Sequence, residues 1–446
     1  MEAGVALLTD LYQFAMVDAY LDEGLQDEAV FSLFVRRLPA RRNFLLACGL
    51  EEVLRYLETV RFSAAELDYL ASLGRFSNRL LEFLERFRFS GDVCAVPEGT
   101  PVFAEEPILE IVAPLPEAQL IETYLLNQIH LQTLAASKAV RVAHAAAGRT
   151  VLEFGLRRTH GTDAGVKVAR AAFIAGIQAT SNVLAGHLYG VPVAGTMAHS
   201  FVQAHEDELG AFRAFAGRFP TTVLLVDTYD TLRGVQHVLR LAKELGDGFQ
   251  VQAIRLDSGD LLALSRAARQ MLDEAGLQRV QIFASSNLDE DSIARLVAQG
   301  APIDGFGVGS AIGVSTDAPC LDIVYKLVSY AGKDRIKLST SKLLLPGRKQ
   351  VFRVEENGVA RKDVVARFAE ELKGRALLRP MMRGGQRVEG SSPSLPEIQE
   401  HARRELGLLP PEVRGLEPMA PPYRVEASPV LAWTREQLIE AWAATP

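Results

Sequence analysis

VLEFGLRRTHG (Val151–Gly161), YGVPVAGTMAHS (Tyr189–Ser200), TTVLLVDTYDT (Thr221–Thr231), FQVQAIRLDSGD (Phe249–Asp260), RVQIFASSNLD (Arg279–Asp289) and IDGFGVGSAIG (Ile303–Gly313) share one pattern: a short apolar run breaks into a polar burst. Runs rich in Val, Ile and Leu are what strands covered on both faces require. Helical spacing follows most of the bursts, which predicts successive βαβ units and a parallel sheet. Ligands of such sheets sit beyond the carboxyl ends of the strands. The bursts therefore converge on one mouth and are read as one site.

Working outward, 446 residues are too many for one ordinary domain and predict two or three. A hydrophobic content of 48% supports a large core. The net charge of −7, with no Lys/Arg-rich run, gives no sign of a nucleic-acid-binding surface, and no nucleic-acid partner is expected. Cys48, Cys94 and Cys320 are widely spaced and form neither a disulfide framework nor a CxxC zinc pattern, which fits a reducing cytosol. Each reads as a small buried apolar residue. The opening MEAGVALLTDLYQFAM lacks a basic leader, and no apolar run reaches membrane-spanning length, so a soluble, cytoplasmic protein is expected.

Residues 1–30 have helical spacing, with Thr9 or Asp10 as a cap and Tyr12 amid the apolar positions. AVFSLFVRRLP (Ala29–Pro39) reads as a strand, its Arg36 and Arg37 either a solvated edge or a reach towards phosphate. Helices are expected over Glu51–Phe89, short strands over Asp92–Pro114, and one or two long helices over Pro114–Ala147, where His130 and His144 read as packing or surface residues. Pro319–Gly358 has strand-like alternation. RPMMRGGQRVEGSSPSLPEI (Arg379–Ile398) reads as a loop or flexible segment, and EQLIEAW as a short terminal helix. The expected division is an N-terminal α+β domain over 1–135, an α/β barrel over 136–335, and C-terminal strands, loop and helix over 336–446, part of which joins the N-terminal domain.

The bursts carry the chemistry. Gly307 and Gly309 expose backbone amides beside Ser310, as a phosphate cradle does, although GxG is often only a tight turn. Arg255 and Asp257 fall on one side of their strand; with Ser258, Asp260, Asp227 and Asp230 they suit a magnesium-bound polyphosphate, the alternative being ion pairs that fill the barrel. Phe154 beside Arg157 and Arg158 suits a planar aromatic acid, or is a core ring beside surface arginines. His160 caps or packs. His199 stands at a strand end as a nucleophile or acid–base group, or is structural. His187, His205 and His237 have no zinc spacing with it.

LLTDLYQFAM, EFGLRRTHG, TSNVLAG, GTMAHS, DTYDT, IRLDSGDL, SSNLDE, GFGVGS and PGRKQVFR, in that order, resemble the nicotinate phosphoribosyltransferase family from residue 7 to about residue 355. The resemblance implies an irregular α/β barrel of the type II phosphoribosyltransferase kind with an outer α+β domain. It implies transfer of phosphoribose from 5-phosphoribosyl 1-pyrophosphate to nicotinate, giving nicotinate mononucleotide and pyrophosphate in NAD salvage. ATP hydrolysis would be coupled through a phosphohistidine at His199, with Mg2+ present. It implies a homodimer with shared sites, in which Tyr12 closes over the nicotinate ring opposite Phe154. Thr196 and Arg255 match positions of nicotinate recognition, and Ser310 one of the phosphoribosyl donor. By similarity to nicotinamide enzymes, Arg157, Asp227 and Asp257 would line the donor and magnesium site, and Gly309 the 5′-phosphate. Ser181 stands where nicotinamide-using relatives place an aspartate, which favours nicotinate. The alternatives are a nicotinamide or quinolinate phosphoribosyltransferase and a non-catalytic nucleotide-binding barrel.

Overall fold

The computed structural model describes residues 5–338 and 344–444, so residues 1–4 of the expected first helix and 339–343 of the strand-like stretch lie outside the described residues. The chain divides into two compact units, Lys138–Pro319 on the one hand and Met1–Ser137 with Cys320–Pro446 on the other. Residues 320–335, expected in the same domain as 136–319, thus fall in the other unit.

The Lys138–Pro319 unit is α/β, with six parallel strands curled into a half-barrel. Their order is Ala179–Thr180, Thr150–Glu153, Gly305–Val308, Gln281–Ala284, Ala253–Leu256, Val223–Leu225. Leu224, Leu225, Ile254, Leu256, Ile282, Phe306 and Val308 are buried, as two-sided cover demands. Each large side chain so buried contributes about 1.5–3 kcal/mol. The helix Thr231–Leu245 shows how the cover is made. Val235, Val238 and Leu241 bury one stripe, while Arg240, Lys243 and Glu244 face solvent. Asp230 caps its start by accepting from the Arg233 amide at 2.8 Å. Gly234 lets it approach the sheet, because a Cβ there would stand 2.0 Å from the Val226 carbonyl oxygen.

Tyr189–Ser200 departs from expectation. The predicted strand is replaced by an irregular segment with one parallel bridge, Val193 to Thr180. Pro192 has no N–H to donate, so its carbonyl alone serves the ladder, accepting from the Thr180 amide at 3.0 Å. The strand in that position is Ala179–Thr180, two residues too short to leave an apolar run. At the other edge of the sheet, the Thr196 hydroxyl donates to the Val223 carbonyl at 2.7 Å. The one irregular segment is therefore bonded to both edge strands.

The other unit is built from both ends of the chain. Its antiparallel seven-stranded sheet runs Lys333–Asp334, Ile323–Tyr330, Glu28–Val35, Pro107–Pro114, Asp92–Ala95, Arg379–Arg383, Gln386–Arg387. A four-stranded sheet (Arg375–Ala376, Lys349–Glu356, Val359–Arg367, Arg424–Ala427) and the pair Leu45–Leu46 with Pro101–Val102 complete it. Arg379–Ile398, expected as a loop, supplies a strand that pairs with Asp92–Ala95, then the start of the helix Leu395–Leu408. Arg36 is bound to Asp322 at 3.2 Å. His130 accepts from the Leu321 amide at 2.9 Å, and burial holds its imidazole below the usual range. No helix among the described residues is long and apolar enough to cross a membrane.

Candidate functional site

Parallel strands put all their carboxyl ends on one edge, and there the side chains of three successive strands interlock. Asp227 follows Val223–Leu225, Asp257 follows Ala253–Leu256, and Ser285 follows Gln281–Ala284. The Asp227 Oδ2 accepts from the Asp257 amide at 2.9 Å and the Ser258 hydroxyl at 2.6 Å. Asp257 Oδ1 accepts from Arg255 Nη2 at 2.7 Å and from the Ser285 hydroxyl. Arg255 also donates from Nε to Ser285 Oγ at 2.8 Å and from Nη1 to the Met197 carbonyl at 3.3 Å. His199 completes the cluster. Its Nε2 stands 3.6 Å from Asp257 Oδ2, and its Nδ1 lies 3.2 Å from the Thr228 hydroxyl.

The electrostatics follow from these bonds. Burial by itself would raise the Asp257 carboxyl. Hydrogen bonds from Ser285 and Arg255, with the Arg255 and His199 charges, carry it below the usual carboxylate range. Asp257 is therefore ionised beside His199 at neutral pH. Glu153 behaves oppositely. Burial pushes its carboxyl up, against hydrogen bonds from the Thr180 hydroxyl and the Gly155 amide.

His199, Asp227, Arg255 and Asp257 are thus joined in one network. Phe154, Gly309 and Ser310 stand on the neighbouring strand ends. The Phe154 ring lies on Gly307, where a Cβ would be 2.5 Å from Cε2. Gly307 is consequently the floor under a ring, and the helix Ser310–Val314 that Gly309 caps has only five residues. Arg157 sits exposed on the turn Leu156–Arg158, beside Arg158. Thr196 spends its hydroxyl on the Val223 carbonyl. Asp230 and Asp260 leave the network. Each caps the helix that follows it, Asp260 by accepting from the Leu262 and Ala263 amides at 3.1 Å. Tyr12 belongs to the other unit, half-exposed on the helix Leu11–Glu23.

Ser285, Thr228 and Glu153 join the site without a motif that marks them in the sequence. The available signal was positional: each lies at or just past a strand's carboxyl end. Ser286 at φ 106° and Asn287 at φ 41° mark the same place, since non-glycine residues in that region carry strain that gathers at functional sites. Among the described residues no group of three or more His, Cys, Asp or Glu side chains could hold a metal by itself. Asp227 Oδ1 is buried and accepts no hydrogen bond there. Such a bare acceptor suits a cation delivered by a polyphosphate better than a protein-built cage.

The nicotinate phosphoribosyltransferase N-terminal domain matches residues 7–130, and the nicotinate phosphoribosyltransferase family matches residues 150–342. The nicotinate phosphoribosyltransferase pncB2 of Mycobacterium tuberculosis is 53% identical over 95% of this chain and 91% of its own length. The nicotinate phosphoribosyltransferase of Bacillus subtilis is 45% identical over 84% of this chain and 79% of its own. Among solved structures, human nicotinic acid phosphoribosyltransferase superposes with a TM-score of 0.87 at 31% identity, covering 97% of this chain and all of that one.

Proposed function

This chain belongs to the nicotinate phosphoribosyltransferase family, and from that premise we propose that it joins nicotinate to 5-phosphoribosyl 1-pyrophosphate. The products are nicotinate mononucleotide and pyrophosphate, in NAD salvage, with ATP hydrolysis coupled through a phosphorylated His199. The observation that carries the reading is the network in which His199 is held between Thr228 and an ionised Asp257.

Nicotinate needs no general base, because its ring nitrogen carries a free lone pair. That pair forms the bond to the anomeric carbon as the bond to pyrophosphate breaks. The protein's task is alignment and charge stabilisation. Phe154, flat on Gly307, supplies a face for the ring. Arg157, exposed and unpaired among the described residues, and the amides about Gly309 and Ser310 serve the donor's phosphates. Arg255 orients Asp257 and Ser285, and Thr196 places the irregular segment that carries His199. Asp227 and Asp257 would hold Mg2+ arriving with the donor, and the ion would neutralise charge on the departing pyrophosphate.

His199 takes the terminal phosphoryl group of ATP, forming an N–P bond as ADP leaves. Asp257 stabilises the positive charge that develops on the imidazole. Ser181, just past the strand Ala179–Thr180, puts no charge beside a substrate carboxylate, which favours nicotinate over nicotinamide. The finer architecture proposed is an irregular barrel, closed where Pro192–Thr196 bonds both edge strands, beside an outer α+β domain. A homodimer with shared sites is part of the proposal. Its support is the exposure of Leu8, Leu11 and Tyr12 side by side. The reducing cytoplasm suits three free cysteines.

Incubation with labelled ATP should give an acid-labile phosphate that maps to His199. His199→Ala should keep slow transfer from the donor and lose its stimulation by ATP. Full ATP stimulation in that variant would refute the phosphohistidine. Preference for quinolinate or nicotinamide over nicotinate would refute the substrate.

A further inference from the structure

The unit built from the chain ends contains a cavity that the proposed reaction leaves unused. Its volume is about 490 Å3, within the range that encloses small organic ligands. The walls are the helix Leu50–Thr59, the strand Arg379–Arg383 with the glycine-rich stretch after it, and the helix Leu395–Leu408. Its floor is apolar: Leu50, Leu54, Met381 and Ile398 are buried there.

The charged groups around it are not evenly satisfied. Glu51 is held by Arg387 at 2.7 Å, Glu98 accepts from the Gly49 amide at 2.6 Å, and Glu397 accepts from the Ser394 amide at 2.7 Å. Glu389 is solvent-exposed. By contrast, the guanidinium groups of Arg379 and Arg404 make no hydrogen bond or salt bridge with any described residue. His401 lines the same cavity, with Nε2 3.0 Å from the Thr100 hydroxyl. Burial holds its imidazole below the usual range, and the charges of Arg379 and Arg404 add to this against an opposing Glu405. The Ser391 hydroxyl on the wall is buried and has no hydrogen-bond partner among the described residues. Three of the four lining carboxylates are held by partners and the fourth, Glu389, faces solvent, whereas both arginines are unpaired, so the cavity is biased towards negative charge.

We propose that this cavity is a second ligand site, for an organic anion of about mononucleotide size, with Arg379 and Arg404 gripping its charged head and the Leu50–Leu54–Met381–Ile398 floor covering its body. The anion adds to the protein without reacting. Its site lies on a unit that contains none of the His199 network, so it modulates the chain or senses a metabolite.

The test is calorimetric titration of the full chain with nicotinate mononucleotide, adenosine 5′-monophosphate and inorganic phosphate as separate probes. At least one mononucleotide should show two binding events per chain. Arg379→Ala/Arg404→Ala should weaken one event about tenfold or more and keep the other, with transfer activity measured without added mononucleotide unchanged. Hydrogen exchange over 388–404 should slow on binding in the parent and not in the variant. Both side chains are exposed, and if the double variant melts early, single Arg404→Ala serves, since Arg404 lies on a helix and not on the strand that pairs with Asp92–Ala95. One event per chain, two events indifferent to the arginines, or inorganic phosphate binding as tightly as both mononucleotides would overturn the proposal. Loss of transfer activity in the arginine variants would likewise overturn it, whereas a parent chain without transfer activity would count against the catalytic reading, so the two failures are distinguishable.

Discussion

Gly307 is a residue whose side chain is missing because another ring uses the space. A Cβ there would meet Phe154 Cε2 at 2.5 Å and Cδ2 at 2.6 Å. Gly307→Ala should tilt the ring and raise the KM for nicotinate about tenfold or more, consistent with the loss of an aromatic contact worth ~1 kcal/mol plus strain. ATP labelling of His199 should survive. Steady-state kinetics and labelling of the same preparation check this, and an unchanged KM would remove Phe154 from the ring site. The residue scale also shows why acidic bursts are ambiguous. DTYDT and LDSGD each hold two aspartates, and composition cannot separate them. Geometry does: Asp227 and Asp257 end strands and enter the network, while Asp230 and Asp260 sit where helix amides need an acceptor.

At the scale of elements, Pro192–Thr196 does a strand's work without being one. Thr196→Val keeps the shape and strands the Val223 carbonyl, which should cost about 1–3 kcal/mol. Thr196→Ser should restore most of it. Denaturant melts of the two variants give the comparison, and equal stability would mean that the contact holds nothing together. The same segment marks the limit of what could be read from the sequence. Long apolar runs such as TTVLLV and FQVQAI announce themselves because both faces of their strands are covered. A two-residue strand, Ala179–Thr180, leaves no period to detect. Arg379–Arg383 was obscured by the glycines and prolines around it, and only pairing with Asp92–Ala95 makes it a strand. Thr228 and Ser285 were hidden for another reason: a hydroxyl's value lies in what it touches.

For the molecule as a whole, the charges buried in the unit built from both chain ends set a pH dependence. Arg353 is fully buried, forked onto Asp363 at 2.6 and 3.0 Å, and Tyr423 donates to the same carboxylate at 3.1 Å. Glu106 lies beside them. Burial first, then the Asp363 charge, raises its carboxyl well above the usual range, with Arg353 opposing. Its folded value exceeds its unfolded one. It therefore contributes stability below the ordinary carboxylate range and loses it as pH rises through the raised value. Glu106→Gln, which can still accept from Phe103 and donate to Asp363, should match the parent near pH 4 and melt higher near pH 8. Thermal melts across that interval test it, and a uniform loss would show that the ionised form is the one the fold prefers.

Glu28–Val35 is bonded on one side to Ile323–Tyr330, and Asp92–Ala95 to Arg379–Arg383. During translation, at about 5–20 residues per second, those early strands emerge long before the late ones that cover them. Their bare edges must be shielded in the meantime, because an open strand edge invites pairing with other chains. A product terminated at Pro319 should accordingly scatter light and sediment, where the full chain stays in solution; a clear, monomeric product would show that the edge needs no cover. Synthesis and assembly run in opposite directions here, and the first part made is the last part finished.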